Sequence, residues 1–167
     1  FKDGFNIQDV AGVRVLMLKL NHTELSPLHD KAVRSAIAHI INYDSMAKII
    51  GNSSTPGAAP FPPSANLGFD SIANKPMTDV AKADQLLTQA GYAKNANGIY
   101  AKDGKELALT LAIWGKDTSL YEEIQQELKQ AGIAVTLKKL QGPGEVDTLG
   151  TDGFDMVERA VVTMSTN

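Results

Sequence analysis

The pattern that most restricts the fold of this chain lies in residues 107–140, where a strand, a helix and a second strand follow one another. Leucine and isoleucine take alternate positions in "LALTLAIW", which is the period of a strand. "SLYEEIQQELKQAG" then carries apolar residues three and four apart and ends on glycine, as helices do. "IAVTLKKL" returns to a strand pattern. The sequence therefore predicts a strand–helix–strand unit and an α/β fold.

Other segments extend the predicted sheet. "VRVLMLKLN" is apolar enough for a strand covered on both faces, and "FDMVERAVVTM" predicts a last strand. Asp103-Gly104 is a two-residue turn signal and predicts a hairpin before the strand–helix–strand unit. We therefore expect a mixed sheet flanked by helices.

Further helices are predicted in "SPLHDKAVRSAIAHIIN", "YDSMAKIIG" and "TDVAKADQLLTQAG". Asp44 is the expected N-cap of the second helix, and Thr78 or Asp79 that of the third. Ser119 and Glu122 have the spacing of a capping box at the start of the later helix. The apolar stripes of the first helix and of the later helix are expected to face the core; they comprise Val33, Ile37, Ile40 and Ile41, and Tyr121, Ile124, Leu128 and Ala131.

Composition excludes several classes of function. The 167 residues carry a net charge of −3, and their 16 basic residues are scattered, so nucleic acid is not an expected partner. The absence of cysteine removes disulfides, thiolate metal sites and cysteine nucleophiles. No apolar run in the sequence approaches the roughly 20 residues that cross a bilayer. The chain starts at Phe1 and stops just after a strand pattern, so we expect residues 1–167 to be a single domain excised from a larger protein.

The sequence contains no motif that carries known chemistry. It has no phosphate-loop, dinucleotide-binding or nucleophile-elbow pattern. His22, His29 and His39 lack a second ligand at metal spacing. The aspartates of "DTLGTDGFD" fail the calcium-loop pattern and are interpreted as solvated loop carboxylates. We therefore expect no catalytic residue, no metal site and no cofactor, and we do not expect an enzyme.

One polar corner stands out where the strand of the unit ends and its helix begins. It consists of Trp114, which is the only tryptophan, and of Gly115, Lys116, Asp117 and Thr118. Loops and helix N-termini gather ligands at such edges of open α/β sheets, and tryptophan offers a large flat contact. The lysine or the helix N-terminus can meet an anion. The alternatives are that the tryptophan packs against a neighbouring segment and that the aspartate only caps the helix.

Five segments, taken in order, resemble one family. They are "LHDKAVRSAIAHIINYDSMAKII", "TPGAAPFPPS", "DVAKADQLLTQAGYAKNANGIYAKDGKELALTL", "EEIQQELKQAGIAVTLKKL" and "DGFDMVERAV". Their order resembles that of the family 5 extracellular solute-binding proteins of ABC importers, the oligopeptide, dipeptide and nickel group. The resemblance covers most of residues 13–167, and its specificity lies in the ordered set and not in any single segment.

This resemblance implies one lobe of a two-lobed, type II periplasmic-binding-protein-like fold. Such proteins capture a solute outside the cytoplasmic membrane, between lobes that close on it, and hand it to an ABC permease. The implied partners are a small peptide or metal-chelate ligand, the permease, and the second lobe of the same protein. The implied location is the periplasm, or a lipid anchor at the outer face of the cytoplasmic membrane.

The resemblance also implies ligand-binding residues. The corner at Trp114–Thr118 is expected to face the cleft, with Asn21 and the segment from Arg159 to Thr163 near it. Arg159 can meet a carboxylate, and the alternative is a surface or lobe-contact arginine. The chain departs from the family at Ala160-Val161, where a glycine-tryptophan pair is common. That departure argues against a tryptophan contact with the ligand at this point.

Several questions about function stay open at this point. Peptides are the first expected ligand class, while "PSANLGF" is similar to the nickel-binding branch, which takes up metal as a chelate. A sensor or interaction domain could keep the same binding fold. A small α/β hydrolase would need a nucleophile beside a base, and the sequence shows no such pair. The proline-rich segment 51–76 is either a functional loop or a surface covering.

Overall fold

The computed structural model describes residues 14–51, 54, 56–57, 77–150 and 152–162. Its strands are β1 (Arg14–Leu20), β2 (Ala93–Lys94), β3 (Tyr100–Lys102), β4 (Lys105–Glu106), β5 (Ala108–Ile113), β6 (Ala134–Lys139) and β7 (Met156–Val162). Its helices are α1 (Lys31–Ile40), α2 (Tyr43–Ile50), α3 (Val80–Gln89), α4 (Ser119–Ala131) and α5 (Glu145–Leu149), with a 3-10 turn at Pro27–His29.

Four strands form the main sheet, in the order β1-β7-β5-β6. β5 runs parallel to both β6 and β7, whereas β7 and β1 are antiparallel. The predicted mixed sheet in an α/β fold is therefore confirmed. The predicted strand–helix–strand unit is confirmed as β5–α4–β6, whose register runs from Ala108 opposite Ala134 to Ile113 opposite Lys139.

Strand direction decides which loops meet at each edge of this sheet. β5 and β7 point the same way, and β1 runs against them with Arg14 opposite Val162. The ends of β5 and β7 and the start of β1 therefore share one edge. The corner that begins at Trp114 follows β5 directly, so it lies at this edge.

The larger core covers one face of the main sheet. Leu109, Leu111 and Ile113 of β5 are buried there against α1, α3 and α4. The predicted stripe of the first helix is confirmed, because its four residues, the last of which is the C-cap Ile41, are all buried in this core. The predicted stripe of α4 is also buried, except for Ala131, which is half-buried. Each fully buried leucine or isoleucine contributes about 1.5–3 kcal/mol of transfer free energy.

A smaller cluster covers part of the opposite face. Ala112 and Val157 of the sheet are fully buried there, together with Leu140 and Val146 of the segment around α5. Trp114, Leu149 and Phe154 pack against them. The segment "GPGEVDTLG" forms a turn and the short helix α5, which cover this part of the sheet.

The prediction that β1 is covered on both faces is wrong. Arg14 and Lys19 are exposed, and the other five residues of the strand are only half-buried. The reason is position, because among the described strands β1 lies at the edge of the sheet and pairs only with β7. Charged residues on an edge strand also discourage pairing with other chains.

Two of the predicted helix caps need correction. Asn42 and not Asp44 caps α2, since its side chain accepts the Ser45 N–H at 3.1 Å. Ser119 and Glu122 form no capping box, because α4 begins one residue earlier and has Thr118 as its N-cap. Between the alternatives for α3, Asp79 is the cap and accepts the Lys82 N–H at 2.9 Å.

Glycines fix two of the connections around α4. Asp103 and Gly104 have φ values of +52° and +76°, as the predicted hairpin turn requires, and they join β3 to β4 in a small sheet with β2. Gly132 ends α4 in the left-handed region, and a Cβ atom there would lie 2.7 Å from the Gly98 carbonyl oxygen. The predicted glycine stop is therefore confirmed, and close packing against the hairpin adds to the requirement for glycine.

Some sequence-based predictions fall on residues that the structure does not describe. Thr163, the segment "PSANLGF" and most of residues 51–76 lie outside the described part of the chain. Within the described part, no helix combines the length and the apolar character needed to cross a membrane.

Candidate ligand-binding groove

A groove of about 420 Å³ opens beside the predicted corner at the edge of the main sheet. Trp114, Gly115, Lys116 and Asp117 line it, so the structure brings together four of the five corner residues. Thr118 is not part of the lining, because its hydroxyl donates to Glu122 Oε1 at 2.6 Å. By comparison, the cavity between α3 and the hairpin measures about 30 Å³, enough for roughly one water.

One side of the groove is apolar. Leu16 of β1, Ile49 and Ile50 at the end of α2, and Leu120 at the start of α4 line it. Ile49 and Ile50 are 41% and 45% exposed and belong to the six large apolar side chains that are exposed among the described residues. Exposed apolar surface inside a groove is typical of ligand sites.

The corner itself combines an exposed cation with an exposed anion. Lys116 and Asp117 are both exposed, and Gly115 turns the chain between β5 and α4 with a φ of +91°. Asp117 Oδ1 accepts the Ser119 N–H at 3.0 Å. Hydrogen bonds from the side chain and backbone of Ser119 lower the pKa of Asp117. Asp117 therefore supports the start of the helix, as the alternative interpretation proposed, and it also lines the groove.

Glu158 is the most deeply buried charged residue of the groove, at 7% exposure. Alternation along β7 puts its side chain on the same face as α4, where it accepts the Trp114 N–H at 3.0 Å. The hydroxyl of Tyr121, in the first turn of α4, also hydrogen-bonds to it. A carboxylate thus connects β7, the corner and α4 at the base of the groove.

Tyr121 holds its proton unusually firmly in this arrangement. Burial raises its pKa most, and the hydrogen bond to Glu158 and the charge of Glu158 raise it further. Arg14, at the start of β1, acts in the opposite direction. Tyr121 therefore stays a neutral hydrogen-bond donor throughout the physiological pH range.

Replacing Glu158 with glutamine is expected to lower the pKa of Tyr121 towards the ordinary tyrosine value near 10. The charge disappears, while the amide oxygen can still accept the Trp114 N–H; burial remains, so the pKa should stay above that of free tyrosine. Tyrosine ¹³Cζ shifts followed by NMR against pH give the measurement. Asp117→Asn, in the same groove, is the control and should leave this pKa in place. An unchanged pKa in Glu158→Gln would contradict the described contact.

Arg159 contacts the corner from the opposite face of the sheet. Its guanidinium carbon lies 5.5 Å from the centroid of the Trp114 ring, within the range of a cation–π contact. The alternative in which Trp114 packs against a neighbouring segment is therefore present in the structure. Arg159 is half-buried and contacts this ring. Trp114 is nevertheless among the residues that line the groove, so its packing does not remove it from the lining.

Asn21 does not lie near the corner. It follows β1 at the opposite edge of the sheet, where its side chain donates to the Phe154 carbonyl at 3.1 Å and accepts the Thr23 N–H at 3.0 Å. The expectation that it shares the site with Trp114 is therefore not met. Antiparallel pairing of β1 with β7 explains the separation, because it takes the end of β1 away from the end of β5.

Asp155 is not a solvated loop carboxylate, contrary to the interpretation of "DTLGTDGFD". It accepts the Ser26 hydroxyl at 2.6 Å and the Thr110 N–H at 2.7 Å. It is half-buried and joins the loop after β1 to β5. Asp147, by contrast, is exposed as expected.

His29 and His39 each contact a backbone carbonyl oxygen. His39 Nδ1 lies 3.0 Å from the Met77 carbonyl oxygen, and His29 Nδ1 lies 3.0 Å from that of His22. Among the described residues, no group of three or more histidine, aspartate or glutamate side chains is placed to hold a metal ion.

Sequence reasoning missed much of the groove. Arg14, Tyr121 and Glu158 were not predicted as lining, nor were the four apolar residues described above. One usable signal was the pair Glu158-Arg159, two charges in the middle of an otherwise apolar strand. The contribution of α2 had no local signal, because it depends on how the helices pack over the sheet.

An open α/β sheet with a ligand-sized groove at the carboxyl ends of its parallel strands defines a ligand-binding scaffold. Residues 2–166 match the family model described as bacterial extracellular solute-binding proteins, family 5, middle. The chain belongs to this family, and the resemblance inferred from the sequence is confirmed.

Solved structures agree with this assignment. NikA from Brucella suis in complex with Fe(III)-EDTA is 30% identical over 90% of this chain and 31% of its own, with a TM-score of 0.72. DppA from Helicobacter pylori in complex with peptide STSA is 23% identical over 94% of this chain and 28% of its own, with a TM-score of 0.75. NikZ from Campylobacter jejuni in complex with Ni(L-His) is 22% identical over 97% and 32%, with a TM-score of 0.74.

These comparisons define the fold more firmly than the ligand. The similar proteins have type II periplasmic-binding-protein folds, and the expected fold class is confirmed. The chain spans about a third of the length of each of them. At 22% and 23% identity, the likeness to NikZ and DppA concerns the fold alone.

Proposed function

We propose that residues 1–167 form one lobe of a two-lobed solute-binding component of an ABC importer. The whole protein would capture peptides outside the cytoplasmic membrane and deliver them to a permease in that membrane. The observation that carries this proposal is the groove of about 420 Å³ at the corner after β5, in a chain that belongs to family 5.

The proposed ligand contacts are those of the groove. Trp114, Gly115, Lys116 and Asp117 line it, and Arg159 would act by fixing the tryptophan ring through the contact at 5.5 Å. Thr163 remains a proposed contact outside the described residues.

The position of the groove supports a second lobe across from it. Arg14 at the start of β1 is opposite Val162 at the end of β7, so both strands have their outer ends at the edge where the groove opens. A further domain reached through these two strands would face the groove and could close over it. Periplasmic location, or a lipid anchor at the outer face of the membrane, belongs to the same proposal.

Peptides are the proposed ligand class. A groove with one apolar side, two exposed cations and two carboxylates can contact both side chains and charged ends of a short peptide. No catalytic step is proposed for these residues. A sensor with the same binding fold would differ from a transport protein in the partner that it contacts, and not in its groove.

Metal chelates are the second candidate. The supporting observation is the 30% identity with NikA from Brucella suis, whose structure contains Fe(III)-EDTA. The large groove has room for a chelate as well as for a peptide.

Native mass spectrometry of the full-length protein, purified without denaturation, tests the proposal. A spread of added masses that match short peptides would support a peptide carrier. A single added mass with a nickel isotope pattern would favour the chelate candidate. Protein that stays empty, and whose melting temperature does not rise with peptides or nickel chelates, would count against both.

A further inference from the structure

Glu158 lines the groove, and no described cation lies within ion-pair distance of it. Between residues that the structure describes, the single ion pair within 4.0 Å is Lys102–Asp30 at 3.9 Å, far from this site. The two donors to Glu158, the Trp114 N–H and the Tyr121 hydroxyl, are both neutral. A carboxylate removed from water is costly unless an opposite charge compensates it. Among the described residues Glu158 therefore has no cation at ion-pair distance, although the lining as a whole carries two cations, Arg14 and Lys116, and two anions, Asp117 and Glu158.

The other charges around the groove lie at more hydrated positions than Glu158, although the charge of Arg14 still acts on the neighbouring Tyr121. Arg14, Lys116 and Asp117 also line it, but all three are exposed, so water and salt screen them. Arg159 follows Glu158 in sequence but lies on the other face of the sheet, against the Trp114 ring. Of the four charged side chains that line the groove, that of Glu158 is the least exposed to water.

The shape of the lining adds a second requirement. Leu16, Ile49, Ile50 and Leu120 give the groove an apolar wall, and the carboxylate lies among them at 7% exposure. A group that suits both features has an aliphatic stem and a cationic end. Lysine and arginine side chains combine these parts, since their methylene stems pack on apolar surface.

We propose that the groove selects a solute with a side-chain cation, a primary ammonium or guanidinium on an aliphatic stem, and that Glu158 is its charge partner. This inference rests on the proposed function and narrows it to basic peptides, in preference to neutral peptides and anionic chelates.

The test compares two peptides that differ in one charge. Ala-Lys-Ala and Ala-norleucine-Ala, both with free termini, are titrated into the full-length protein by calorimetry, together with 1,5-diaminopentane as a simple cation. The lysine peptide is expected to bind about tenfold more tightly than the norleucine peptide. In Glu158→Gln this ratio should fall below about twofold, because the charge is lost while an oxygen still accepts the Trp114 N–H.

Two further variants separate charge from shape. Glu158→Asp keeps the charge and should keep a preference for the lysine peptide. If the glutamine variant fails to fold, the inference can still be tested with this variant. Asp147→Asn removes an exposed carboxylate from α5, outside the groove lining, and should leave the ratio as in the wild type. Equal loss of the ratio in the aspartate and glutamine variants would overturn the inference.

The remaining outcomes distinguish this inference from the proposed function. Peptides that bind equally, or a lysine preference that survives in Glu158→Gln, would overturn the inference and leave a peptide carrier. Binding of diaminopentane that depends on Glu158, without binding of either peptide, would support the cation site and count against peptide transport. Absence of binding by all three probes would overturn both.

Discussion

Replacing Asp155 with alanine is expected to lower the free energy of unfolding by about 3 kcal/mol. The carboxylate accepts the Ser26 hydroxyl at 2.6 Å and the Thr110 N–H at 2.7 Å. Ser26 is only 4% exposed, so its hydroxyl would lose this acceptor inside the protein. Hydrogen bonds to a charged acceptor are about twice as strong as neutral ones, which makes this loss large.

Urea-induced unfolding of the wild type and the variant gives the measurement. Asp147→Ala is the matched control, because it removes an exposed aspartate and should change stability by less than about 0.5 kcal/mol. Equal stability of the Asp155 and Asp147 variants would show that the contacts of Asp155 with the loop after β1 contribute nothing net.

Replacing Trp114 with alanine is expected to weaken peptide binding by the full-length protein about a hundredfold, or about 2.7 kcal/mol. The ring is held between the cluster around Val157 and the Arg159 guanidinium, and the residue also lines the groove. A fixed aromatic side chain gives a ligand a large contact at little cost in conformational entropy. Trp114→Phe keeps an aromatic ring and should lose less.

Calorimetric titration with a peptide found on the native protein measures this effect. Leu149→Ala is the control, since Leu149 packs in the same cluster as Trp114 without lining the groove. Its affinity should stay within about threefold of the wild type if packing alone is disturbed. An alanine variant of Trp114 that binds as tightly as Leu149→Ala would remove the tryptophan from the proposed site.

The architecture was accessible from the sequence wherever periodicity and turn chemistry agreed. The unit β5–α4–β6 has alternation, a helical stripe and a glycine stop in succession, and each signal points to the same element. The caps were less accessible, because several polar residues compete within a few positions. Asn42 and Asp44 are both good N-caps in isolation; in the structure Asn42 is the cap, and its own N–H donates to Glu127 Oε2 of α4 at 3.0 Å.

The site was only half accessible. Trp114 was found because a strand end before a helix is a known place for ligands, and this needs no long-range information. Glu158 and Ile49 come from segments far from the corner in sequence, and only the completed sheet brings them to it. Asn21 was expected near Trp114 but lies at the other end of the strands. The residues of β1 alone do not show in which direction the strand runs in the sheet.

The pairing of β1 with β7 also affects the order in which the molecule can fold. Asn21 bonds to Phe154, a residue 133 positions away, whereas β5 and β6 are joined by one helix of 13 residues. Local contacts form first, since long loops are costly to close, so we expect β1 to add last. Pulsed hydrogen exchange during refolding should protect β5 amides before those of β1, and the reverse order would contradict this.

Until β7 is complete, β1 is an apolar strand without a partner. Unpaired strands of this kind promote aggregation, and charges at their ends reduce it. Arg14 and Lys19, near the two ends of β1, remain exposed in the folded protein. These two charges would therefore reduce aggregation of the chain in the time before β1 pairs with β7.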